Sequence, residues 1–177
     1  MKKKTLALVL ALTLLVAGVV GGTLAWLTDQ TAEVKNTFTV GDINIGLTET
    51  TTDYKMVPGN TIAKDPTVTV KANSEACWLF VKLTESTDLK DFITYAIAEG
   101  WTALPGVDGV YYREVPASAA DQTFSVLAGD AVTVKSDVTR TMLETAKTDA
   151  PTLTFKAYAI QKDHFATADA AWAEVSK

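Results

Sequence analysis

The sequence predicts an antiparallel, mostly-β sandwich with short helices, one of them near the C-terminal end. Three observations predict it. Apolar and polar residues alternate at period two through most of the chain after residue 26, the mark of half-buried strands. Turn-forming clusters such as Pro58-Gly59-Asn60, Asn73-Ser74-Glu75 and Ala128-Gly129-Asp130 interrupt that alternation at short intervals. Helical spacing is confined to a few brief stretches.

The strands follow in order. Thr37-Phe38-Thr39-Val40 sets Phe38 and Val40 on one face, and after Gly41-Asp42 the apolar set changes phase to Ile43, Ile45 and Leu47, which predicts a bulge or bend. Pro66 opens a run in which Val68 and Val70 alternate with threonine. Ala76 to Thr84 is the strongest strand, with apolar residues on both faces. A brief helix is predicted from Asp88 to Phe92, and strand character resumes at Tyr95-Ala96-Ile97. Trp101 to Leu104 and Val110 to Arg113 flank Pro105-Gly106-Val107-Asp108-Gly109, which reads as a hairpin. Phe124 and Val126, then Val132 and Val134, give a strand–turn–strand about Gly129. Thr141 to Lys147 predicts one or two helical turns, and Leu153 to Ile160 the last strand. Thr167 caps a final helix whose Ala168, Trp172 and Val175 share a face.

The first residues read as an address. Lys2, Lys3 and Lys4 precede an apolar run from Leu6 to Val20, and Thr23-Leu24-Ala25 supplies the small residues a signal peptidase reads. Residues 1–25 are therefore expected to be a cleaved signal peptide, cut between Ala25 and Trp26. The same neutral stretch, free of charge from Thr5 to Thr28, is also long enough to serve as an uncleaved anchor. Residues 26–177 are expected to form one domain. Loss of the three lysines leaves 13 basic against 21 acidic residues, a net charge of −8, which excludes a nucleic-acid partner.

Catalytic constellations are scarce. The single histidine, His164, precludes a His-Glu-x-x-His zinc site, no Gly-x-Ser-x-Gly elbow occurs, and no phosphate-binding loop is present. The acids Asp121, Asp130, Asp163 and Asp169 match no calcium loop of the EF-hand type. Trp78, Trp101, Tyr111, Tyr112 and Trp172 fit core and cross-strand packing better than a sugar-binding platform. The lone Cys77 reads as a small buried hydrophobe. No catalytic residue, metal ligand or cofactor is predicted.

Residues 26–40 carry a different possibility. Trp26 and Leu27 begin the segment, no turn signal occurs as far as Lys35, and Ala32, Val34, Phe38 and Val40 share one strand parity. Such a segment can add to an open sheet edge of another copy. Burying four or five of these side chains contributes about 6–12 kcal/mol, against about 10–20 kcal/mol for ordering ten residues. Backbone hydrogen bonds and a preformed groove are then required. Pairing with its own domain as an ordinary first strand satisfies the same pattern.

Three stretches carry a family resemblance. Gly21 to Asp29 followed by Asn36 to Ile43, and Pro58-Gly59-Asn60-Thr61-Ile62-Ala63-Lys64-Asp65-Pro66, a Pro-Gly-x-x-x-x-Lys-x-Pro turn before a strand, resemble the TasA/camelysin family of exported surface proteins. Tyr158 to Asp163 with the following helix resembles the end of many short members. The resemblance implies a jelly-roll sandwich, cut by a SipW-type signal peptidase and secreted to the matrix or surface of a Gram-positive-type bacterium. It further implies assembly with itself into biofilm fibres by exchange of the N-terminal segment, with other matrix or cell-wall components as further partners. A camelysin-like surface metalloprotease and a monomeric adhesin are the alternative functions.

Overall fold

The computed structural model describes Lys3, residues 42–51 and residues 54–177. Its strands form three antiparallel sheets, as the alternating pattern predicts. The central sheet has the order β10-β4-β7-β6, built from Leu153–Gln161 (β10), Cys77–Glu85 (β4), Val110–Val115 (β7) and Thr102–Ala103 (β6). A flanking sheet runs β1-β3-β8 from Ile45–Thr48, Thr67–Val70 and Gln122–Ser125, in that order. A small sheet, β2-β9-β5, joins Thr61–Ala63, Ala131–Val134 and Ile93–Thr94. Helices α1 (Leu89–Phe92), α2 (Arg140–Ala146) and α3 (Ala168–Val175) complete the fold.

Strand β4 organises the core because it is apolar on both faces. Cys77, Leu79, Val81 and Leu83 point into the main core with Val68 and Val70 of β3, Val115 of β7 and Val132 of β9. Trp78 and Phe80 point the other way, into a second core closed by Ala168, Ala171 and Trp172 of α3. The Trp172 ring lies 5.3 Å from Phe80 and 5.1 Å from Tyr158, edge-on to the latter. The indole N–H groups of Trp78 and Trp101 donate to the carbonyls of Phe165 and Ser125, so both rings are buried without an orphaned donor. Thr167 caps α3 by accepting from the Ala170 N–H at 3.3 Å.

At the side where β7 and β8 approach, the Arg113 guanidinium lies 3.8 Å from the Phe124 ring centre and 5.4 Å from that of Trp101. It covers the core there with a flat cation, and burial lowers its pKa.

Three local differences from the sequence reading have physical causes. Strand β5 begins at Ile93, directly after α1, because Ile93 pairs with Val134 and Thr94 with Thr133. Of the expected Tyr95–Ile97 strand, only a bridge between Ile97 and Leu127 remains. The two strands about Gly129 join different sheets, since positive φ at Gly129 (64°) and Asp130 (49°) turns a corner there. Strand β2 is three residues long, too short for alternation to announce it.

The expected hairpin pairs Thr102 with Tyr112 and Ala103 with Tyr111. Its loop needs two glycines in the left-handed region, Gly106 (φ 72°) and Gly109 (φ 71°). A Cβ at Gly109 would stand 2.5 Å from the Leu83 carbonyl oxygen, whereas one at Gly106 meets nothing within 4 Å. Gly106→Ala should therefore cost about 1 kcal/mol from backbone strain alone. Gly109→Ala should cost at least about twice that, seen as the larger loss of thermal midpoint in parallel melts.

Candidate functional site

The side of the sandwich opposite Arg113 is built differently. There the edge strand of the flanking sheet, β1, faces the edge strand of the central sheet, β10, and among the described residues each has a single pairing partner. Between them opens a cleft of about 740 Å³, lined among others by Leu47, Met56, Ile62, Leu153 and Phe155. Leu47 is 37% exposed at its mouth, one of two large apolar residues so exposed among those described.

The cleft holds a buried charge. Lys64 is 7% exposed, and its Nζ lies 2.6 Å from Glu49 Oε1. It stands 4.7 Å from the Tyr54 ring centre and 5.3 Å from that of Phe155. The Tyr54 hydroxyl donates to Glu49 at 2.7 Å. Burial, then the Glu49 carboxylate, pushes the Tyr54 pKa well above that of a free phenol. The next residue anchors the same turn from outside: Asp65 accepts from the Thr50 hydroxyl and from the Thr50 N–H at 3.0 Å. The hydroxyl hydrogen bond, then the backbone one, lowers the Asp65 pKa.

The Pro-Gly-x-x-x-x-Lys-x-Pro pattern acquires a physical meaning here. Gly59, at φ 80°, makes the turn in which the Asn60 N–H donates to the Val57 carbonyl. Thr61–Ala63 is β2, the Lys64 N–H donates to the Asp130 carbonyl at 2.7 Å, and buried Pro66 precedes β3. Lys64 was visible in the sequence only as a motif position. Its site role emerges from Glu49, fifteen positions earlier, which no local pattern connects to it.

The profile of the camelysin metallo-endopeptidase family matches residues 1–91, just over half of the 177 residues. The chain belongs to that family. No curated protein and no solved structure matches it. The family name implies a catalytic metal ion, and no group of side chains among the described residues fits one. His164, the sole histidine, is exposed in the 3₁₀ turn Lys162–His164. Cys77, the sole cysteine, is buried, and burial pushes its thiol up to about 11. Among the described residues no three His, Cys, Asp or Glu side chains converge. Asp121 instead accepts from the Ala72 N–H and Lys71, which lower its pKa in that order.

The residues expected to mark export and assembly lie outside the described residues: Ala25 and Trp26 at the cleavage point, and Trp26, Leu27, Ala32, Val34, Phe38 and Val40 in the assembly segment.

Breaking the buried pair from one side should be costly. Glu49→Ala strands an ammonium among aromatic rings and should destabilise the domain by about 3–5 kcal/mol, while the Glu49→Leu, Lys64→Met pair should come close to parent stability in denaturant titrations. Acid acts on the outer anchor. The Asp65 and Asp121 pKa values are lowered in the folded state. Their stabilisation is thus present above the ordinary carboxylate value of 3.8. It is lost as pH falls from there through the folded pKa values. The decline of thermal midpoint below pH 4 should be shallower in Asp65→Asn than in the parent.

Proposed function

We propose that this chain is an exported structural protein of the extracellular matrix or cell surface of a Gram-positive-type bacterium. In this reading residues 1–25 are removed by a SipW-type signal peptidase, and the mature protein, starting at Trp26, assembles with its own copies into fibres. Residues 26–40 of one copy supply a strand to the next, and other matrix or cell-wall components are further partners. A structural role is preferred to proteolysis because the chain offers one exposed histidine and one buried cysteine as nitrogen and sulfur ligands, too few for a zinc centre of the usual metalloprotease type.

The observation that carries this reading is the side of the sandwich where, among the described residues, β1 and β10 each lack a second pairing partner. Two strand edges flank one cleft with apolar side chains in its wall, and a strand laid there would gain backbone hydrogen bonds and burial of its apolar side chains together. That is the preformed groove whose absence would leave the ordering cost of the segment uncompensated. Family membership supports the reading from the other direction, because the matched residues 1–91 include the leader, the donor segment 26–40 and the cleft-forming motif.

Deleting residues 26–35 from the mature protein should leave a folded monomer that forms no fibres by negative-stain microscopy. Terminal sequencing of secreted parent protein should begin at Trp26. Unchanged fibres after the deletion, or a secreted chain retaining its apolar leader, would refute the proposal.

A further inference from the structure

The outer face of the central sheet carries an electrostatic conflict beside β10, which among the described residues has one pairing partner. Lys156 of β10 lies directly opposite Lys82 of β4, and both are exposed. Among the described residues neither has an acidic partner within ion-pair distance, although acids outnumber bases 21 to 16 in the whole chain. Like charges facing each other across strands are destabilising. A lysine on an edge strand also discourages indiscriminate pairing. Two copies meeting by their β10 edges bring lysine against lysine, whereas a strand with a carboxylate at the matching position relieves the conflict. The lysine therefore selects as well as repels.

Residues 26–40 have that character. Laid as a strand with Ala32, Val34 and Phe38 on one face, the segment would put Asp29, Glu33 and Lys35 on the other, two acids to one base. On β10 the parity is the same: Leu153, Phe155, Ala157 and Ala159 face the main core, and Lys156 faces out. Of the two edges flanking the cleft, β10 is nine residues long and β1 four, so β10 offers the longer ladder.

Building on the strand-donation reading, we infer that the β10 edge accepts residues 26–40 of a second copy, antiparallel, with Glu33 beside Lys156. This register sets Val34 beside Phe155 and Ala32 beside Ala157, a large pair at the cleft and a small pair where the core is already filled. Phe38 then extends past Leu153 towards Pro151 at the cleft wall. The acceptor is thus specified by charge on one face and by shape on the other.

The test is a charge exchange in the full mature protein. Lys156→Glu and Glu33→Lys should each raise the concentration at half-assembly by about three- to tenfold in sedimentation, with the thermal midpoint of the monomer unchanged or, for Lys156→Glu, raised. The double exchange should return assembly to within about twofold of the parent. Glu33→Cys with Lys156→Cys should give a ladder of disulfide-linked multimers under mild oxidation, since buried Cys77 does not compete. Parent-like assembly of Lys156→Glu without a ladder overturns the β10 assignment, even where removal of residues 26–35 still abolishes fibres. A disulfide closed within one chain shows the segment covering its own domain and overturns it as well. A mature parent that never polymerises overturns the reading beneath it.

Discussion

Everything in the fold depends on one strand being apolar on both sides. Strand β4 sends Leu79 and Val81 into the core between the sheets and Trp78 and Phe80 beneath α3. A strand with a single greasy face would leave α3 nothing to cover, and the outer surface of the central sheet would need polar side chains along its whole length. Burial of Phe80 and Leu79 side by side, on opposite faces, thus fixes a layered order of flanking sheet, central sheet and helix. Beyond the residues that α3 covers, Lys82 and Lys156 stand exposed on the outer face of the central sheet.

The two lateral openings of the sandwich are treated in contrasting ways. One is closed by Arg113, stacked on Phe124 and Trp101. The other is left as a cleft whose ammonium group is neutralised by Glu49 and flanked by aromatic rings. A buried ion pair of this kind contributes little net stability relative to apolar side chains of the same volume. Its value lies in geometry: it draws Glu49 and Tyr54, beyond the end of β1, onto the residue that follows β2, so the mouth of the cleft is set by side chains from two separate segments.

How much of this could be read from the sequence follows from the range of the interactions. The strong strands, the capped final helix and the Pro105–Gly109 hairpin were legible because their signals are local: period two, a threonine before an alanine-rich helix, glycines in a short loop. Strand β2 was not, because three residues hold no period, and Tyr95–Ile97 reads as a strand although pairing with β9 has already been made by Ile93 and Thr94. The scarcity of metal ligands was plain from counting. The Glu49–Lys64 pair and the Lys82–Lys156 opposition were invisible, since each joins residues whose proximity is created by sheet register rather than by spacing.

The same register has a consequence for the timing of folding. Strand β4 pairs residue for residue with β10, from Glu85 with Leu153 to Cys77 with Gln161, so its main partner lies 68 to 84 positions downstream. A chain emerging from its first residue onward, as in synthesis, cannot complete this ladder until Gln161 has emerged. Closure of such distant pairs is slow. Until then β4 stays without its longest partner, and β10 joins the central sheet as the last of its four strands to emerge.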